Sequence, residues 1–594
     1  MSLNWCPLMT RAAGLFALLF ALLAAGGCVD PGRVDANLIT RYQQYVLNHS
    51  PQARGGSSGL DLLSNLPEPP VIPLRIEPDP AGGARRVYLS LDQAIALALK
   101  NNQDIRIVSF DPAIAREDMV RAAAAFDAVV FGSAIQSTVD HRQPNPTFTS
   151  ETRTWAFEAG VRQKFITGAQ AELKWDVTRT HDNSTQFLTL NPRWESIAQL
   201  QITQPLLRGA GRDYNLSQLR VAQIGHKNQL ALFRQKVEEV VAQVRTAYWT
   251  LVQARRDVEI QEALLDQTSI TLDRVINRRG IDATDVEVKQ TEAAIEMRRA
   301  ALVRARKSVF DVQDQLARLL SDPRLSLAGR FVVIPTSPPV TETIHLDPTD
   351  QLINAMQFSP LLEQARLAIA ANDINVGVAQ NETLPTLNLV ASGAIQGLKG
   401  DWDKAIDQMG NRGHRDHTLG LQFEYPLGNR AALAALRQQK FDRLKNITRM
   451  QDVADQLAIN VNEAIRQIET TYDEVRASKA AVEASRAQLT ALDSSERLRG
   501  KLSPEFLQVK LQAQETLSSA DRSLTQAIVN YNNALARLAY VTGTTLQQHA
   551  VRVIADDLMD AQPLLLVRPV LPALEPTTAP ATAPSTGALT PAIP

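Results

Sequence analysis

The sequence predicts a mixed α+β membrane protein in which amphipathic strands of a transmembrane β-barrel lead into long antiparallel coiled-coil helices. Three observations carry that prediction. Two proline-free stretches, about 212–277 and about 430–498, keep helical periodicity over a length that no globular core accommodates. Segments that alternate apolar and polar residues with period two precede each stretch. The whole arrangement also occurs twice along the 594 residues, at a nearly constant offset.

The chain opens on Arg11 and the apolar run AAGLFALLFALLAAGG, which has the length of a signal peptide and is too short to span a bilayer comfortably. Residues 1–27 are assigned to it. Cys28 follows at once, and LAAGGC resembles a bacterial lipoprotein box, with Ala25 where Leu is commoner. Two fates follow for Cys28: lipidation after cleavage, or ordinary cleavage near Ala25 that leaves an idle thiol. Either way Cys6 departs, and the mature chain has one cysteine and no intrachain disulfide. Residues 28–88 are rich in Pro, Gly and Ser and read as a tether.

From residue 89 the first of two similar halves begins, running to 345; the second occupies 346–545. LDQAIALALKNNQDI (Leu91 to Ile105) corresponds to TDQLINAMQFSPLLE (Thr349 to Glu363), and GSAIQ at Gly132 to SGAIQ at Ser392. Strands are expected at about 126–205 and 385–425. In TWAFEAGVRQKF, Trp155, Phe157, Ala159 and Val161 alternate with Ala156, Glu158, Gly160 and Arg162; HTLGLQFEY sets Leu419, Leu421 and Phe423 against Thr418, Gly420 and Gln422. A soluble half-buried sheet gives the same alternation. It needs a second apolar face, however, and the neighbouring rods cannot supply one. Outer-membrane strands need only about 9 to 11 residues each, apolar outside and polar inside, and no apolar run of about 20 residues remains for a spanning helix. Trp155, Trp175, Trp194 and Tyr425 are candidates for aromatic girdles at the membrane interface. The first half holds about 39 extra residues between strand start and corner. They form either a longer extracellular hairpin or additional barrel strands.

Each set of strands ends at a corner: ITQPLLRGAG, with Pro205, Gly209 and Gly211, and QFEYPLGNR, with Pro426 and Gly428. Proline ends strand pairing, and glycine permits a sharp change of direction. Past the first corner, Val237, Val244, Leu251, Val258, Leu265 and Leu272 recur every seven residues. A second row of Val240, Ala247, Ala254, Gln261, Thr268 and Val275 is largely small or polar, which suits close helix approach. About 65 residues make a rod near 100 Å long. Arg279-Gly280 stops it, Thr284 or Asp282 can cap the next helix, and a return helix runs over 285–320. The second half repeats this pattern: a long helix over 430–498 with Val461, Ile468, Val475, Val482 and Leu489 by sevens, a stop at Arg499-Gly500, and a return helix over 504–541. Residues 546–594 are a Pro/Ala/Thr-rich tail.

Signal, duplicated strand-corner-helix unit, QPLLRGAG and Gly-centred helical turns together resemble the TolC family of outer membrane efflux proteins over about Ser90 to Gly543. The lipid-anchored branch of that family is similar in having a cysteine after its signal. The resemblance implies a homotrimer whose chains share one barrel in the outer membrane of a Gram-negative-type bacterium and one periplasmic helical tunnel. It implies a passive conduit, of a tripartite efflux or type I secretion system, that meets a periplasmic adaptor and an inner-membrane pump of RND or ABC type, with outer membrane lipid around it. Four strands per chain, as the resemblance implies, would make a barrel of twelve. The two helical turns would form the closing tip, where Asp282 and Asp285 can pair with Arg279, Arg499 or Lys501 while Glu505 and Gln508 face the pore; the same residues also suit ordinary capping and solvation of helix ends. The acidic pair expected near the second turn is replaced by Glu505 and Gln508, which argues against a strong cation-binding ring.

Other classes fare worse. A formal charge of -1 offers no basic face for nucleic acid. No catalytic fingerprint and no cofactor motif is present, and the eight His show no HExxH spacing; RGHRDH (Arg412 to His417) reads as a polar loop before a strand. A secreted or surface-anchored coiled-coil spacer explains the heptads but leaves the strands before each long helix without a purpose.

Overall fold

The computed structural model describes residues 72–77, 85–140, 151–183, 189–280, 284–325, 331–410, 414–498, 503–549, 551–554 and 566–569. Cys28, the signal segment and most of the tether lie outside them.

In chain order the elements are β1 (Arg75–Glu77), β2 (Arg85–Leu89), α1 (Leu91–Asn101), α2 (Gln103–Val108), α3 (Phe110–Ala123), β3 (Val129–Asp140), β4 (Glu151–Lys164), β5 (Gln170–Asp182) and β6 (Arg193–Pro205). After the corner come α4 (Arg212–Asn215), α5 (Ser217–Asn277), α6 (Asp285–Leu320) and β7 (Phe331–Pro335). The second half supplies α7 (Pro348–Phe358), α8 (Pro360–Glu382), β8 (Thr386–Lys399), α9 (Trp402–Gly410), β9 (His414–Glu424), α10 (Arg430–Leu498) and α11 (Pro504–Val541), followed by α12 (Thr545–Gln548), β10 (Val551–Ile554) and β11 (Leu566–Pro569).

At 61 and 69 residues, α5 and α10 are about 90 and 100 Å long. Each packs along its return helix, α5 on α6 and α10 on α11, while α3 and α8 cover the parts of the rods nearest the corner. The heptad row behaves differently in the two rods. In α10, Val461, Ile468, Val475, Val482 and Leu489 are all buried. In α5, Val237, Val244 and Leu251 are buried, but Val258, Leu265 and Leu272 are only half-buried, and burial passes to Ala254, Gln261, Thr268 and Val275. A helix of 3.6 residues per turn drifts against a strict seven-residue repeat, and the seam has moved onto the second row.

Two apolar cores thicken the rods at mid-length. The first joins α1, the Phe233–Leu251 stretch of α5 and the end of α6 to a three-stranded sheet, β1-β2-β7. β1 and β2 fall in the segment that the sequence reading assigns to the tether. Val87, Leu89, Phe331 and Val333 are buried there, and two strands so short leave no periodic signal among prolines. Tyr248 fastens this sheet to α5, its hydroxyl donating to the Leu89 carbonyl (3.1 Å) and accepting from the Ser337 N–H (2.9 Å). The second core joins α7 to α10 and α11. β10 and β11 pair antiparallel within the segment read as a tail.

Glu238, 1% exposed in α5, pairs with Arg234 at 3.1 Å, yet burial pushes its carboxyl from 4.5 up to about 7. A carboxyl whose folded value is raised contributes its stability below the unfolded value and loses it as pH rises through the folded one. The fold is therefore expected to lose about 3 kcal/mol between pH 4.5 and 7 from this group. Glu238→Gln is expected to flatten that slope in denaturant unfolding measured across the same pH range; an unchanged slope would assign it elsewhere.

The six remaining strands form one antiparallel sheet in the order β3-β4-β5-β6-β8-β9. Its registers place Trp155, Phe157, Ala159, Val161, Leu173, Trp175, Val177, Ala198, Leu200, Ile202, Leu387, Leu389, Ile395, Leu419, Leu421 and Phe423 on one face, and Glu158, Arg162, Glu172, Lys174, Asp176, Gln199 and Gln422 on the other. The sequence reading of RGHRDH is corrected in part: His414 to His417 are strand, paired with Gly393 to Gln396 of β8, because backbone pairing is indifferent to polar side chains on an edge strand. Arg412 lies outside the described residues. No helix among the described residues is long and apolar enough to cross a membrane.

Candidate functional site

Two places combine unusual backbone with buried polar groups: the corner between sheet and rods, and the far end where the rods turn back.

At the corner Pro205 closes β6, and Gly209 and Gly211 follow with φ of +82° and +94°, a region that favours glycine. The Gly209 N–H donates to Asn381 at the end of α8 (2.7 Å), and the Asn215 amide donates to the carbonyls of Gly209 and Gly211 (2.9 Å each). The second corner differs slightly. Pro426 stands beyond β9, Gly428 has φ +84°, and the Asn429 amide donates to the Thr383 carbonyl (2.8 Å). Both corners thus hang on the last turn of α8. Sequence reasoning missed Gly168, in the turn between β4 and β5. A Cβ there would stand 2.5 Å from the Gly209 carbonyl oxygen and 2.7 Å from the Asn215 amide nitrogen.

At the far end, Gly280 (φ +83°) terminates the first rod. Thr284 caps α6, its N–H donating to Glu287. Arg279 pairs with Asp285 at 2.8 Å, both exposed. Glu505 and Gln508 are exposed on the first turns of α11. Asp282, Arg499, Gly500 and Lys501 lie outside the described residues.

Behind these residues sits a latch that the sequence did not disclose. Val275, Val288, Leu507 and Leu511 form a small core joining α5, α6 and α11. Lys510, with its side chain 3% exposed, holds Asp493 at 2.7 Å and also Glu496, both on α10; Glu496 in turn accepts from Arg274 of α5 (3.4 Å). One to two turns further from the tip, Arg298 of α6 donates to Thr268 of α5, to Gln514 (3.0 Å) and to the Leu511 carbonyl (3.1 Å). Gln514 donates to Thr271 (3.1 Å). Burial lowers the Arg298 pKa, so its full set of acceptors is what keeps the guanidinium in place. Lys510 thus ties α11 to α10 within one rod pair, while Arg274 with Glu496, Arg298 with Gln514 and Leu511, and Gln514 with Thr271 join the two pairs beside the small apolar core. The polar second row, with Gln261 and Thr268, was the available signal.

The four aromatic residues separate by position. Trp155 and Trp194 share a row with Arg179, whose guanidinium lies 5.8 Å from the Trp194 ring centre, at the end of the sheet away from the corner. Tyr425 follows β9 at the corner end. Trp175 is displaced from both levels: it lies in the row of Ala159 and Ala198, and its indole N–H donates to Ser196 (2.8 Å). Among the described residues no cluster of His, Cys, Asp and Glu has the makings of a metal site.

A two-faced sheet bent at proline-glycine corners into paired rods is a fold that solved outer membrane channels share. The chain is 18% identical to the outer-membrane channel OprN, covering 76% of this chain and 90% of that one at a TM-score of 0.57. It is 14% identical to CmeC of Campylobacter jejuni (77% and 86%, TM-score 0.55) and 16% identical to VceC of Vibrio cholerae (76% and 96%, TM-score 0.55). The family model of outer membrane efflux proteins matches residues 352–544. Fold along three quarters of the chain thus agrees with these channels, and residues 352–544 resemble the outer membrane efflux protein family in sequence. No curated protein matches the sequence.

Proposed function

We propose that three copies of this chain, each built from two repeats, close one β-barrel in the outer membrane and one helical tunnel below it, and that the assembly passively conducts cargo to the exterior. A periplasmic adaptor docks at the tip turns, and an inner-membrane pump of RND or ABC type supplies the energy, in efflux or type I secretion. The apolar face of the sheet carries this reading. Leu419, Leu421 and Phe423 are 76%, 68% and 66% exposed, and the short α9 packs only on the β6 and β8 part of that sheet. A soluble protein would have to cover it; lipid covers it without further structure. Trp155 and Trp194 then belong to the outer girdle and Tyr425 to the inner one, and Cys28 carries the lipid anchor.

The latch supports gating by rod separation, since Glu496, held on its own rod pair by Lys510, reaches across to Arg274 of the other pair in a discrete arrangement. Arg279 with Asp285 adds an exposed pair at the tip, and the exposed Glu505 and Gln508 add to the surface offered to the adaptor. Purification from membranes in detergent is expected to give a heat-labile trimer that conducts ions in a planar bilayer. A soluble monomeric rod without conductance would overturn this reading in favour of the coiled-coil spacer.

A further inference from the structure

The large sheet has six strands but only four connections to rod helices at the corner, and the mismatch has a definite structure. β3 is joined to α3, β6 to α5, β8 to α8 and β9 to α10, so four strands each connect to a helix at the corner. β4 and β5 connect to none; they join each other through the turn at 165–169. Neither is a flap. They pair with each other along Thr152–Lys164 and Gln170–Asp182, and with β3 and β6 over nearly their whole length. Their turn reaches the level of the corner. The Gly211 N–H donates to the Thr167 carbonyl (3.2 Å), and Gly168 is pressed against Gly209, Asn215 and Pro205.

The edges of the sheet fit one another. β3 and β9 have 12 and 11 residues and run in opposite directions, so β9 of one copy can continue the antiparallel order into β3 of the next. Val130, Gly132 and Ala134 of β3 occupy the apolar face, as do Leu419, Leu421 and Phe423 of β9, and the apolar band continues across that junction.

We infer that the β4–β5 hairpin is part of the membrane wall, and that three copies close a barrel of eighteen strands above a tunnel of twelve helices. The inference rests on the trimeric channel proposed above. With strands about 4.8 Å apart and tilted about 40°, eighteen strands give a backbone radius of about 18 Å, against about 12 Å for twelve. The barrel is then about half as wide again as one of twelve strands. Glu158, Arg162, Glu172, Lys174 and Asp176 of the added hairpin face the lumen and give it mixed charge without a single-sign ring.

Single-cysteine labelling of the full chain in outer membranes tests this, with a membrane-impermeant maleimide as probe and heat-labile trimer as the measure of folding. Glu158→Cys and Asp176→Cys are expected to label several-fold faster than Phe157→Cys and Val177→Cys, which lipid shields; Ala159→Cys replaces Phe157→Cys if that trimer fails to form. Leu421→Cys and Gln422→Cys on β9 serve as reference. Equal labelling of all four hairpin positions, with Leu421 shielded and Gln422 labelled, would place the hairpin outside the wall and overturn the eighteen-strand barrel alone. Loss of alternation at Leu421 and Gln422 as well would overturn the channel reading itself.

Discussion

Lys510→Ala is expected to loosen the tip by about 1–3 kcal/mol, below the scale for leaving a buried charge wholly uncompensated, because Arg274 still faces Glu496. Lys510 is nearly sealed from solvent, and Glu496, its partner, has a side chain only 10% exposed. Without the ammonium, Glu496 retains Arg274 at 3.4 Å, and Asp493 turns to water at 42% exposure. The carboxylate left behind is then better solvated with the rods apart, and the equilibrium moves toward the separated arrangement. Two measurements check this. Amide hydrogen exchange over the ends of α10 and α11 should rise while exchange in the core around Tyr248 stays unchanged, and single-channel traces should show longer openings than wild type. Lys510→Arg retains the charge and should recover much of the closed behaviour. If Lys510→Ala opens no more often than wild type, the latch has no part in gating.

Gly168→Ala is expected to be the most damaging single-atom addition at the corner. The residue has φ +93°, where an L side chain is strained by about 1–2 kcal/mol, and its Cβ would overlap backbone and the Asn215 amide. Adding about 1–3 kcal/mol for overpacking gives roughly 2–5 kcal/mol in all. The turn would lift from the corner, and the heat-labile trimer should dissociate at a lower temperature. Gly211→Ala is the informative comparison: its φ of +94° carries the same strain, but nothing lies within 4 Å of the added atom. An equal loss for both variants would mean that backbone strain, and not the close approach of hairpin to corner, limits stability there.

Periodicity is a local property, and whatever depends on it was legible in the sequence: two rods of the observed length, return helices beginning at Asp285 and Pro504, corners at Pro205 and Pro426, and strands with one apolar face. The reason is that a 3.6- or 2.0-residue repeat is written into consecutive side chains whatever they eventually touch. Partner choice is not local, and it was decided only by the tertiary structure. Lys510 reads as a solvated surface lysine until α10 brings Asp493 and Glu496 against it, and Arg298 reads likewise until Thr268 and Gln514 close around it. The extra hairpin had the alternation of a strand pair in the sequence, yet its place between β3 and β6 depends on hydrogen bonds to segments on either side of it, and those bonds carry no side-chain signature. The short strands β1 and β2 were hidden for the same reason: too few residues to show a period, they are strands only because β7, more than two hundred positions later, lies beside them.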